Sequence, residues 1–212
     1  MGRPPKFSRA RLQEAALALV DEHGLEGLSM RALASALGTG PMTLYNHVAN
    51  REDLEVLVVE AVLAQAQWSR GCSDDWREDA RELALTVWRA LRAHPRVVPL
   101  VLTRRSRSPI VADFGEAMLA ALARSGRSGH ALLVAFRAIT ALIMGFAQGE
   151  LAGPLATSAG EPADEVIERF RSLPRDRYPG LVDIAEAARE SDPEREFREG
   201  LELLLDGLSR AR

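Results

Sequence analysis

Cysteine is all but missing: Cys72 is the single thiol among 212 residues. One thiol closes no internal bridge, so a disulfide framework is excluded and a reducing cytoplasm fits. Histidine is sparse as well, and His23, His47, His94 and His130 show no spacing that would gather ligands on a metal. Cys72 lacks a visible histidine partner, and no glycine-rich phosphate cradle is present. The sequence therefore predicts no enzyme, with no catalytic residue, no metal and no cofactor.

An excess of positive charge is also lacking. With 27 lysines and arginines against 30 aspartates and glutamates, the formal charge is −3. Broad affinity for nucleic acid is excluded, and any such contact must be local. Arg3, Lys6, Arg9 and Arg11 supply a locality, since the first eleven residues hold no acid. Such an arm can lie along phosphates, or serve only as a solubilising tail. The opening residues are polar and proline-broken, without the apolar core of a signal peptide. The longest apolar run, Ala131 to Gly149, is interrupted by Arg137 and Gln148. It is shorter and more polar than a lone membrane span, so a buried helix in a cytoplasmic protein is expected, with no membrane partner.

Strand signals are absent too, because no alternating run is bounded by hairpin turns. What remains is helical punctuation. Apolar residues at 47% and charged residues at 27% suit a packed, soluble domain, and the length fits a small domain followed by a larger one. Ser8 is placed to cap a first helix with Leu12, Ala15, Ala16, Leu19 and Val20 at helical spacing, which Gly24 stops. Ser29 is placed to cap a second helix that Gly38 ends. A third runs from Pro41 or Met42 to about His47, proline costing little at a helix start. Asn50 then caps a longer helix with Glu52 and Asp53 in its first turn, where the macrodipole favours acids.

Residues 37–54 form the most informative stretch, reading as the turn, recognition helix and following cap of a DNA-reading helix-turn-helix. Thr39, Gly40, Pro41, Met42 and Thr43 are small or compact, which lets the backbone approach a major groove. Leu44 and Val48 hold the short helix to its neighbours. Met42 and Thr43 suit base edges, including a thymine methyl, while Arg31 is the arginine placed to reach a guanine. Tyr45 and His47 suit phosphate oxygens, and Arg51 suits a phosphate at the next helix start. The competing readings are that Tyr45 packs against the first helix and that His47 is an ordinary surface histidine.

Residues 8 to about 60 resemble the DNA-binding domain of the TetR family of bacterial transcriptional regulators. Characteristic of that family is a Thr-Leu-Tyr-x-His-Val segment followed by Asn-Arg/Lys-x-x-Leu, matched here by Thr43, Leu44, Tyr45, His47, Val48, Asn50, Arg51 and Leu54. A weaker resemblance to the tetracycline-repressor branch covers the remainder, including Leu173 to Leu208 with its Leu-Pro-x-x-Arg-Tyr-Pro segment. The resemblance implies DNA contact by Arg31, Pro41, Met42, Thr43, Tyr45, His47 and Arg51, and an all-helical ligand-binding and dimerisation body. Where tetracycline repressors carry a drug-binding histidine near the end of the fourth helix, gapless counting places Gln67, which argues against magnesium-tetracycline as ligand.

The body reads independently as helices over Asp75 to His94, Ile110 to Arg124, Ser128 to Leu151, and from about Pro193 onward. Pro95, Pro99 and Pro109 predict short helices or turns between the first two, and residues 152–162 read as a loop. Trp68 and Trp76 flank a polar break, and His94 and His130 look isolated, suiting a surface or helix-end role. The apolar stripes around Leu132 to Gly149 and along Phe197, Leu201, Leu204, Leu205 and Leu208 suit a four-helix interface with a second copy, or one subunit's own core. Trp88, Phe114, Met118, Phe136, Thr140 and Met144 are the candidates for an apolar ligand cavity, with plain core packing as the alternative.

The expectation is thus an all-α protein: residues 1–54 a three-helix helix-turn-helix domain with a basic arm, residues 55–212 a larger helical ligand-binding and dimerisation domain. It predicts a homodimeric repressor of a pseudo-palindromic double-stranded operator, released by a small-molecule effector. The fourth helix would act as the lever between reader and body. The rival is a helical ligand-binding protein that has lost DNA binding.

Overall fold

The computed structural model describes residues 7–68, 73–104, 108–152 and 162–210. Every regular element among them is a helix. Contacts divide the chain into two compact units, Met1–Ala121 and Leu122–Arg212.

The first unit opens with α1 (Arg9–Gly27), α2 (Met30–Ala36), α3 (Pro41–Leu44) and α4 (Arg51–Gln65). Side-chain caps set three of the four starts, as the sequence predicts. Ser8 Oγ accepts from Arg11 N at 3.3 Å, Ser29 Oγ from Ala32 N at 3.1 Å, and Asn50 Oδ1 from Asp53 N at 2.9 Å. Each satisfies an amide that the helix itself leaves open. Gly24 breaks α1 at φ 70°, so Leu25–Gly27 is a separate turn. Leu12, Ala16, Leu17 and Val20 form the buried face of α1.

α4 is the centre of this unit, and every residue from Leu54 to Leu63 on it is buried. A helix covered on all sides must have several neighbours, and α4 packs on α1, α5 (Trp76–Ala93) and α6 (Val98–Arg104). Asp75 caps α5 by accepting from Arg77 N at 2.9 Å. A 3₁₀ turn at Pro95–Val97 follows, and α7 (Pro109–Ala123) closes the unit. Pro99 does not break the chain: it sits at the second position of α6, where a missing amide costs nothing. Trp68 packs edge-on to Phe114 of α7, ring centres 5.9 Å apart.

The second unit holds α8 (Gly129–Ala152), α9 (Ala163–Arg171), α10 (Pro179–Ala187) and α11 (Pro193–Arg210). Ala135, Ile139, Ile143 and Ala147 are buried on α8, and Phe197, Leu201 and Leu205 on α11. Both sets recur every four residues, the spacing of ridges that interdigitate between helices. The Phe146 and Phe197 rings meet edge to face with centroids 5.4 Å apart. The inner stripe of α11 is therefore spent on α8 of the same chain. Leu133, Val134 and Leu203 remain 39%, 51% and 77% exposed.

α9 and α10 were not read from the sequence. They pack on each other, tied by Arg171 Nε on Glu186 Oε1 at 3.0 Å and by an Arg175–Asp183 pair. Most of the loop expected at 152–162 lies outside the described residues, as do Cys72, Arg3 and Lys6.

Candidate nucleic-acid interface

The turn before α3 follows from one glycine. Gly38 takes φ 62°, a region that side chains with a Cβ enter at a cost. Its amide donates to Ser35 O at 3.0 Å, and the Thr39 amide to Ala34 O at 2.9 Å. These two bonds satisfy the last carbonyls of α2 and turn the chain sharply toward α3.

α3 itself is one turn, Pro41–Leu44, shorter than the helix to His47 that the sequence suggests. Tyr45 and His47 lie in the continuing turn, where Tyr45 N reaches Pro41 O at 3.3 Å and Val48 N reaches Leu44 O at 2.9 Å. Without a further run of i to i−4 bonds the segment relies on its anchors. Leu44 is fully buried and Val48 is 1% exposed.

The remaining side chains of the segment divide by exposure. Pro41 is exposed, and Met42 and Tyr45 are 79% and 51% exposed. Burial therefore gives no reason for a methionine and a tyrosine here. Thr39, Thr43 and His47 are half-buried beside them, and Arg31 is exposed on α2. The reading that Tyr45 packs away into the first helix does not fit its exposure. His47 borders a cleft of about 440 Å³ shared with Arg9, Val48, Asp53, Leu57, Glu60 and Pro109.

Arg51 has a different setting. Its Nε donates to Glu55 Oε1 at 3.0 Å and its NH2 to Leu25 O at 3.2 Å. Much of the fork is thus held by the protein itself. Of the basic arm, Arg9 donates to Glu60 through Nε at 3.0 Å and NH2 at 2.6 Å, while Arg11 lies over the Phe7 ring at 5.6 Å. Both arginines are folded onto the unit rather than extended from it.

Sequence reasoning missed the polar struts around α4. Glu55 and Glu60 are only 7% and 6% exposed, and a buried carboxylate needs compensating partners. Glu60 receives Arg9 and Gln13, the latter at 2.9 Å, and Glu55 Oε2 receives Arg104 Nε at 2.7 Å. The available signal was two acids within the otherwise apolar run Leu54–Leu63. His94 is not isolated either: its Nδ1 lies 2.8 Å from Asp21 Oδ2 and its Nε2 3.1 Å from Gln65 Oε1. Arg96 NH1 donates to the Asp21 and Glu22 carbonyls just before the Gly24 break. A cation there also matches the negative end of the α1 dipole.

Burial alone pushes the Glu55 carboxyl up, but hydrogen bonds from Arg104 and Arg51, together with their charges, hold it below the usual carboxylate range. A depressed folded-state value means that the ionised pair stabilises the fold above the unfolded-state value, and that this is lost as pH falls through the folded one. The thermal midpoint of the wild type is thus expected to exceed that of Glu55→Gln at neutral pH, with the gap closing as pH drops below the carboxylate range. A pH-independent gap in scanning calorimetry would contradict this.

The proposed ligand residues fall in both units. Trp88 and Met118 are fully buried and Phe114 nearly so, all within the first unit's core, with the Arg92 guanidinium 5.3 Å from the Trp88 ring centre. Phe136, Thr140 and Met144 are half-buried on one face of α8. Thr140 Oγ1 donates back to Phe136 O at 2.9 Å, so its proton is committed while its lone pairs stay open. Gln67 is exposed just beyond α4.

Comparison with known proteins agrees with this geometry. Residues 12–55 match the model for bacterial regulatory proteins of the tetR family, and residues 71–212 match that for the tetracyclin repressor-like C-terminal domain. The chain is 30% identical to the class A tetracycline repressor of Escherichia coli transposon 1721, over 93% of this chain and 88% of that protein. Apo ActR of Streptomyces coelicolor superposes with TM-score 0.80 at 28% identity, covering 98% of this chain and 97% of ActR. A BioQ structure solved with its double-stranded DNA operator superposes with TM-score 0.64 at 25% identity, covering 96% and 99%. The chain belongs to the TetR family of bacterial transcriptional regulators.

Proposed function

We propose that residues 1–54 read operator DNA and that residues 55–212 bind a small-molecule effector and pair two copies. The carrying observation is the exposure of α3 and the turn after it, where Met42 and Tyr45 stand out to solvent beside a fully buried Leu44. Met42 and Thr43, with Thr39 and Pro41 at the approach, meet base edges. Arg31 reaches a guanine, and Tyr45 and His47 hold phosphates. Arg51 stands at the phosphate-facing start of α4 with two of its donors engaged by Glu55 and Leu25.

Homodimerisation gives two such readers about one DNA turn apart and a pseudo-palindromic operator. The chain acts in the cytoplasm as a repressor without an enzymatic reaction. Its effector is small and apolar or amphipathic, with Trp88, Phe114 and Met118 as the candidate contacts of the first unit and Phe136, Thr140 and Met144 as those of the second. ActR has been solved with actinorhodin and with (S)-DNPA, which supports an organic ligand for this architecture. With Gln67 in place of a drug-binding histidine, magnesium-tetracycline is not that ligand. An effector that prefers a misaligned pair of readers lowers operator affinity by the same factor by which DNA lowers effector affinity.

Recovery of genomic fragments on the purified protein tests the reading and supplies the operator. With that duplex, Tyr45→Ala is expected to weaken binding about tenfold on every fragment, whereas Thr43→Val re-ranks the fragments with shifts of about 1–3 kcal/mol. Should both variants bind like wild type, α3 is not the reading element. If no fragment is enriched at all, the rival of a ligand-binding protein without DNA affinity stands.

A further inference from the structure

Glu60 is bonded through one oxygen only. Its Oε2 accepts from Arg9 Nε at 3.0 Å, Arg9 NH2 at 2.6 Å and Gln13 Nε2 at 2.9 Å. None of the described residues donates to Oε1. An ionised carboxylate offers about four lone-pair positions, and at 6% exposure Glu60 has little water to fill those left over. Nor is Oε1 one of the described polar atoms sealed from solvent without a bond, so a small donor can reach it. Glu60 lines the cleft of about 440 Å³ that His47 borders.

The rest of the cleft narrows what that donor can be. Asp53, Val56, Leu57 and Glu60 follow the i, i+3, i+4, i+7 spacing that places them on one face of α4. The two acids stand about 10.5 Å apart along the helix axis, with the apolar pair between them and Pro109 beside it. Apart from His47, the charged lining is two carboxylates and the single guanidinium of Arg9, which Glu60 already holds. One added cation balances this set, whereas an anion meets an excess of like charge. A guanidinium would need both carboxylate oxygens for its planar fork, and Oε2 is taken. An ammonium, a compact point charge, needs only one. The volume lies at the small end of the range for ligand pockets, about 300–1,000 Å³.

We propose that this cleft is a second small-molecule site, taking a primary ammonium on a compact apolar body, and that it shares no residue with the effector contacts named above. The ammonium donates to Glu60 Oε1 in a charge-assisted bond of about 2.7–2.9 Å, while Arg9 keeps Oε2. The apolar body lies over Val56, Leu57 and Pro109. None of this needs DNA, so the site stands or falls apart from the reading function. His47, assigned to a phosphate above, borders the same cleft and so comes to lie beside the bound amine.

Isothermal titration calorimetry of the full-length protein with cyclohexylammonium chloride tests the site, with cyclohexanol and cyclohexanecarboxylate as the neutral and anionic counterparts. Saturable binding of the ammonium is expected, about tenfold or more tighter than either counterpart. Glu60→Gln, whose carbonyl still accepts from Arg9, is expected to weaken it about tenfold. Arg9→Gln, which removes the competing cation, is expected to tighten it about threefold. That gain separates recognition from damage, since a subunit merely loosened by substitution does not bind better. Circular dichroism checks the fold of each variant. Should Glu60→Gln fail to fold, Asp53→Asn at the half-buried end of the stripe replaces it, with an expected weakening of about threefold. Absence of saturable binding, or equal binding of cyclohexanol, overturns the proposal. So does ammonium binding that is indifferent to the charges at 60, 53 and 9, because it then occurs elsewhere on the protein.

Discussion

Leu44→Ala is expected to cost about 2–5 kcal/mol of stability and to abolish operator binding at concentrations where the wild type saturates. Leu44 is fully buried while its helix spans only Pro41–Leu44. A helix of one turn has almost no intrinsic stability, because nucleation fixes several residues for a single hydrogen bond. Its conformation is imposed by the anchors Leu44 and Val48 and by the Gly38 turn. Truncating Leu44 removes the larger anchor and leaves a void that Leu33 and Leu37, both buried on the preceding segment, fill only in part. Urea denaturation gives the first quantity and fluorescence anisotropy the second. A loss below about 0.5 kcal/mol, the usual range of a surface change, would show that α3 is held by something other than this side chain.

Val134→Asp is expected to raise the dimer dissociation constant by about a hundredfold, equivalent to about 2.7 kcal/mol, without unfolding the subunit. The most apolar 18-residue window of Gly129–Gly149 has a mean hydropathy of 1.8, yet only 22% of it is buried within one chain. By length and composition alone this helix could cross a membrane. In the dimer proposed above, the apolar face is instead covered by a second copy. Val134 is 51% exposed in the single chain, so an aspartate there is solvated in the monomer and desolvated in the dimer. Burying an unpaired carboxylate against apolar side chains is strongly unfavourable. Sedimentation velocity reads the association and circular dichroism the fold. Retention of wild-type dimerisation would place the interface elsewhere on α8 or α11.

Local rules made the first unit legible in the sequence. Ser8, Ser29 and Asn50 cap the helices they precede, and Gly38 ends α2. These features act within a few residues, so they survive without knowledge of the tertiary fold. The length of α3 was misjudged because apolar spacing cannot tell a helical residue from one in a continuing turn. α9 and α10 escaped notice since each has nine residues, little buried apolar surface and a proline at its edge. The struts were invisible for another reason: Arg104 and Glu55 lie 49 positions apart, and Arg9 and Glu60 lie 51 apart. Only packing makes such partners neighbours. In the candidate site, exposure sorts the motif into anchors and readers, a division that residue identity alone leaves open for Tyr45.

That separation of anchors from readers has an evolutionary corollary. Met42 and Thr43 contribute little to the core, so substitution there alters which promoter is recognised at almost no thermodynamic penalty. Duplicated copies of this chain could diverge onto new genes through one or two codon changes while retaining the same scaffold, the same partner preference and the same chemical trigger.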